Sequence, residues 1–120
     1  MMARDSEFEP HPNGISSMLF NFATLITHDL FKTNHLDFSR SDTSSYLDLA
    51  PLYGNNEAEQ ASVRLFENGL LKPDCFSEKR LLEFPAAVGV LVIMFNRFHN
   101  HVATNLAASV IMSPMMIFFH

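Results

Sequence analysis

The sequence predicts a mainly α-helical fold, with about three main helices joined by long ordered loops, and three observations carry that prediction. Apolar residues recur at helical spacing in two long stretches, one opening at Ile15 and one near Pro85. A helix-start signal stands at Asn56, with Glu59 three residues on as a capping partner. Between these stretches lie segments rich in Ser, Asp and Thr and broken by Pro and Gly.

The elements follow in order. Residues 1–14 form an irregular lead-in, closed by Pro10, Pro12, Asn13 and Gly14. In the first helix Ile15, Met18, Leu19, Phe22, Leu25, Ile26 and Leu30 fall on one stripe. Phe20, Ala23 and Phe31 lie off it, so the back of this helix is not a solvated face either. Residues 34–54 read as a long loop, and loops of that length inside a compact domain are usually functional. The second helix runs from Asn56 through EAEQASVRLFEN to a stop at Gly69. After the loop LLKPDCFSEKR, the third helix runs from Pro85 to about Ala108, with Val88, Leu91, Val92, Phe95, Val102 and Leu106 on its stripe. Residues 109–120 form an apolar tail, in which Pro114 is expected to stop any helix.

Composition narrows the function classes. The chain has 120 residues, enough for one small domain. Apolar residues make up 48% and charged ones 18%, more apolar than a small soluble domain needs, which points to surface meant for more chain or an oligomer partner. A net charge of −5 without a basic run argues against nucleic acid. The single Cys75 excludes an internal disulfide and a cysteine-rich zinc site. The polar, acidic start does not read as a signal peptide, and no apolar run reaches the roughly 18 residues of a membrane span. A cytoplasmic location is the resulting expectation.

The chemistry concentrates in THDLFKT, residues 27–33. On a wheel of about 100° per residue, Asp29 falls inside the apolar stripe, and His28 falls opposite it with Ser17, Asn21 and Thr24. A buried carboxylate needs a partner or a metal, and Leu25 and Thr33 at the i−4 and i+4 positions offer no charge. Either something distant neutralises Asp29, or the helix frays there and the residue meets water. A neutral imidazole at position 28 suits proton transfer between two oxygens of a bound substrate. The alternative is a helix-end histidine satisfied by a backbone carbonyl. In the loop, Ser44, Tyr46 and Asp48 alternate, which in an extended segment sets them on one side. A hydroxyl, carbonyls and a carboxylate are the hard oxygen donors Ca²⁺ selects.

Together these segments resemble the animal-type heme peroxidase superfamily, which includes the cyclooxygenases, and within it the fungal psi-factor-producing oxygenases and linoleate diol synthases. THDLFKT resembles the distal-histidine segment. SSYLDLAPLYGNNEAEQASVRLFENGLLKPDCFSEKR resembles the loop and helix after it. GVLVIMFNRFHNHVATNLA resembles the long helix with an Arg-x-His-Asn pattern, here Arg97, His99 and Asn100. The resemblance implies a partial heme peroxidase domain over residues 15–108. It implies heme and Ca²⁺ as cofactors, with fatty acid and peroxide or O₂ as substrates of intact relatives. His28 would be the distal histidine that moves a proton during O–O cleavage. Asp29, Ser44, Tyr46 through its carbonyl, and Asp48 would hold calcium. Thr24 stands at the heme side where many relatives carry glutamine, Ala50 where peroxidases carry a further hydroxyl ligand, and Arg80 near the distal arginine but offset by one residue. Neither tyrosine has a histidine three residues on, so the family's radical tyrosine and proximal histidine are not in this sequence. His99 reads as a core histidine bonded to a backbone oxygen rather than an axial ligand, and Cys75, beside Asp74, as a poor thiolate. The expectation is a truncated, distal-half piece of a fatty-acid dioxygenase or peroxidase. The competing readings are a non-catalytic remnant or interaction protein and a small helical calcium-binding module.

Overall fold

A computed structural model describes residues 9–44 and 46–117, with side chains up to Ser109. It holds four α-helices and one 3₁₀ turn and, among the described residues, no strand longer than an isolated bridge. Most of the lead-in, Met1–Phe8, lies outside the described residues, as do the last three positions of the tail.

Helix α1 spans Ser17–Leu30. It starts where Ser16 Oγ accepts the Met18 N–H at 3.2 Å, relieving one of the unpaired donors of a first turn. It ends where Phe31 turns extended and the chain enters a bridge between Thr33 and Ser41. The loop that follows is tied by Asn34, whose side-chain oxygen accepts the N–H groups of Leu36 and Asp37.

Inside the expected loop of residues 34–54 lies a one-turn helix, α2, Ala50–Tyr53. Pro51 suits its first turn, where no intrahelical donor is needed. Its leading residue, Leu49, is held left-handed at φ 62° and offers no capping side chain. Gly54 follows at φ 96°, and a Cβ there would stand 2.7 Å from Glu59 Cβ, so the turn into the next helix requires glycine.

Helix α3 begins at the expected cap, with Asn56 Oδ1 accepting the Glu59 N–H at 3.0 Å. It is shorter than expected, spanning Glu57–Val63 and not reaching Gly69. The chain leaves the helix because Val63 and Leu65 pair their backbones with Lys72 and Leu70, closing a bridge between Arg64 and Leu71. Phe66, Asn68 and Gly69 all take positive φ in the reversal.

After the 3₁₀ turn Lys79–Leu82, helix α4 runs Ala86–Ile117, 32 residues or about 48 Å at the α-helical rise. It crosses residue 108 unbroken and continues past Pro114, contrary to the expected stop. A proline in a final turn forfeits one bond to the carbonyl four residues back, and three more residues follow before the described helix ends.

Every element gives a residue or two to one thin core: Leu25, Leu52, Val63, Leu71, Leu81, Val88 and Val92. Large side chains remain outside it, among them Phe20, Phe31, Met94, Phe98 and Leu106, each 60% exposed or more. The radius of gyration is 19.3 Å, against about 14 Å for a compact domain of this length. No helix among the described residues is long and apolar enough to cross a membrane.

Candidate functional site

The end of α1 gathers the chemistry. Asp29 is 1% exposed and faces the core on the same stripe as Leu25, so the helix does not fray there. Its carboxylate accepts the N–H of Ala50 at 2.8 Å and of Leu49 at 3.1 Å. The distant partner is therefore the start of α2, for which Asp29 supplies the cap that Leu49 lacks. Burial pushes the Asp29 carboxyl above the ordinary aspartate range. The two N–H groups pull it down without cancelling that effect, and the neighbouring Asp48 carboxylate pushes it up again.

The loop residues converge on the same place. Ser44 Oγ lies 2.6 Å from Asp48 Oδ2 and 3.3 Å from the Tyr46 carbonyl oxygen. Neither Asp29 nor Asp48 has an ion-pair partner among the described residues. Two carboxylates, a hydroxyl and a carbonyl thus stand together as hard oxygen donors. That is fewer than the six to eight oxygens calcium takes, so water would supply the rest. No group of three or more His, Cys, Asp or Glu side chains suited to a metal gathers among the described residues. Ala50 contributes its backbone N–H to Asp29 and no oxygen toward this cluster.

His28 is half-buried on the other side of α1. Its Nδ1 lies 2.7 Å from the Thr24 carbonyl oxygen. A carbonyl only accepts, so Nδ1 carries the proton and Nε2 keeps its lone pair. Nε2 has no hydrogen-bond partner among the described residues. The ring lies against Phe84, centroids 4.1 Å apart. The Thr24 hydroxyl turns back to the Phe20 carbonyl, and Ser17 and Asn21 continue the uncharged polar row toward the helix start. Both sequence readings of His28 meet here: the ring is satisfied by a carbonyl through one nitrogen and presents the other.

Arg80 reaches the same helix end. Its Nη2 donates to the His28 carbonyl at 3.3 Å and its Nη1 to the Phe31 carbonyl at 3.2 Å. Glu78 grips it twice, at 2.9 and 2.6 Å. Glu78 also meets Lys32 at 3.2 Å, and Lys32 meets Glu59 at 2.9 Å. Sequence reasoning missed Glu78 and Phe84; an acid two residues before an arginine in a short turn was the available signal for the first.

The Arg-x-His-Asn pattern of α4 serves as a clamp on the loop of residues 64–75. Asn100 pairs with both backbone groups of Leu71, at 2.8 and 2.9 Å. Arg97 forks onto Asp74. Asn96, 1% exposed, accepts the Asp74 N–H and donates to the Lys72 carbonyl. His99 Nε2 lies 2.9 Å from the Gly69 carbonyl and Nδ1 lies 2.9 Å from the Tyr53 hydroxyl, so neither nitrogen is left for a metal. Burial, more than the adjacent Asp74, raises the Cys75 thiol.

Comparison with known proteins gives consistent relatives. The chain is 64% identical over 108 residues to a 7,8-linoleate diol synthase of Pyricularia oryzae, covering 89% of this chain and 9% of that protein. It is 62% identical over 107 residues to psi-producing oxygenase A of Emericella nidulans, covering 89% and 10%. It is 59% identical over 107 residues to a bifunctional dioxygenase–epoxy alcohol synthase of Fusarium oxysporum, covering 89% and 8%. The chain thus spans about a tenth of the length of the curated relatives it matches. No protein-family model matches it. No solved structure matches it.

Proposed function

We propose that this chain, which belongs by sequence to the fungal branch of linoleate diol synthases and psi-producing oxygenases, forms the distal wall of a heme-dependent fatty-acid dioxygenase site. The observation that carries the proposal is the imidazole of His28, with Nδ1 committed to the Thr24 carbonyl and Nε2 unpartnered beside an uncharged polar row. Heme, when bound, supplies the redox chemistry of peroxide cleavage and oxygen activation. His28 Nε2 takes a proton from one oxygen of the substrate and returns it to the other, a role suited to a neutral imidazole. Thr24 holds the ring in that tautomer and Phe84 limits its swing. Arg80 fixes the helix end that carries it. The fatty acid, by the names of the relatives, is linoleate or a close analogue, and O₂ is the co-substrate. His99, engaged through both nitrogens, would not be one of the residues that hold the heme.

Calcium completes the reading. Asp29, Ser44, the Tyr46 carbonyl and Asp48 would hold the ion, whose charge would offset the burial and, after it, the Asp48 repulsion that raise the Asp29 carboxyl. One helix end then anchors the cation on one side and the proton-transfer group on the other.

A titration with hemin tests this. Uptake saturating at one per chain is expected once imidazole is added to stand in for the axial ligand, with a peroxide-dependent spectral change that His28→Ala slows by about 100-fold or more. No saturable uptake under either condition overturns the heme reading. A second reading, a helical calcium module, draws on the same acidic pair; calcium-dependent stability without hemin uptake selects it.

A further inference from the structure

The segment Glu78–Phe84 touches the His28 residue at two separate points. Arg80 donates to its carbonyl, and Phe84 packs on its ring. Glu78 lies behind the first contact. Its side chain is 7% exposed yet carries two cations, Arg80 on both oxygens and Lys32 on one. Lys32 is itself four residues beyond His28, so Glu78 binds the end of α1 through its own side chain and through the guanidinium at once. A buried carboxylate is costly unless its partners compensate, and here one partner grips the helix-end carbonyls while the other belongs to the chain just beyond them.

We infer that Glu78 is a positioning residue for His28: by holding Arg80 against the end of α1 and tethering Lys32 just beyond it, it fixes the backbone that carries the imidazole and keeps the ring between the Thr24 carbonyl and Phe84. The inference rests on the proton-transfer reading of His28 for its purpose, but the geometry it asserts is independent of heme. Capping the helix alone does not require it. A helix C-terminus needs its last carbonyls met, which water or a single lysine achieves. The forked grip on carbonyls 28 and 31, backed by a buried acid, constrains position as well.

The tautomer of His28 reports that position. A solvated, neutral histidine side chain prefers its proton on Nε2, the nitrogen distant from the backbone, whereas the Thr24 carbonyl holds the proton on Nδ1. His99 is held the opposite way, donating from Nε2 to Gly69. Nitrogen-15 spectra of the histidine-labelled chain therefore carry the reporter and its control together. The expected result is an Nδ1–H signature for His28 that becomes a mixture in Glu78→Gln and in Arg80→Gln and is largely restored in Glu78→Asp, while His99 stays Nε2–H throughout. A His28 signature unchanged in both Gln variants overturns the inference. So does simultaneous loss of the His99 signature in every variant, which makes Glu78 a stabiliser of the whole fold. A failed hemin titration leaves this result standing, and a failed tautomer shift leaves hemin uptake standing, so the two claims fail separately.

Discussion

Asp29 is the residue on which the site turns. It is a buried acid that meets two backbone donors and no cation, and it joins α1 to α2. Replacing it with Asn leaves one N–H without an acceptor, a loss of about 1–3 kcal/mol. Chemical denaturation of Asp29→Asn measures this; under the proposed calcium site, calcium should raise the Tm of the native chain and not that of the variant. Glu59 gives the pH dependence. Burial alone would raise its carboxyl, but the Asn55 N–H, Lys32 and the Asn55 amide outweigh burial and hold it below its ordinary value of 4.5. A lowered folded-state pKa contributes stability that is present above 4.5 and is lost as pH falls through the folded value. Urea midpoints measured from pH 3 to 7 should fall on the acid side, and fall less in Glu59→Gln. The sequence placed Asp29 on the apolar stripe and so posed the right question. It could not show the partner, because Leu49 and Ala50 offer backbone N–H groups, which every residue but proline has, and only the left-handed turn at Leu49 aims them.

At the scale of elements, the long helices were legible because apolar spacing and the Asn56 cap are local signals. Helix α2 was not, since four residues carry no period and their cap comes from 20 residues away. The early end of α3 was hidden for a related reason: VRLFEN keeps helical spacing, and the bridge between Arg64 and Leu71 overrides it. The Arg-x-His-Asn pattern was legible as a motif, but its clamp on the loop appears only when α4 and Leu71 meet. Asn100→Ala should therefore destabilise the chain by about 2 kcal/mol, since it strips partners from two backbone groups of one residue. The turn at Gly54 is equally exacting. Gly54→Ala should cost about 2 kcal/mol or more, because positive φ and a 2.7 Å approach to Glu59 combine. Thermal unfolding of both variants checks these values.

The whole molecule is extended and leaves apolar side chains on both long helices in solvent, a surface larger than single scattered residues make. Its excess of apolar residues had already indicated as much from composition. If that surface drives self-association, sedimentation velocity should show species heavier than 13.6 kDa at micromolar concentration. A Met94→Lys, Phe98→Lys double variant should move the distribution toward monomer without lowering the stability of the core, which neither residue enters. At this scale too lies the claim that the chain is one wall of an oxygenase site. Transplanting the matched segment into the 7,8-linoleate diol synthase of Pyricularia oryzae tests it most directly, by measuring linoleate oxygenation by the chimera with and without His28→Ala. The account predicts an active chimera that loses about 100-fold or more on His28→Ala while retaining its heme absorbance. An active chimera that His28→Ala leaves unchanged would contradict it.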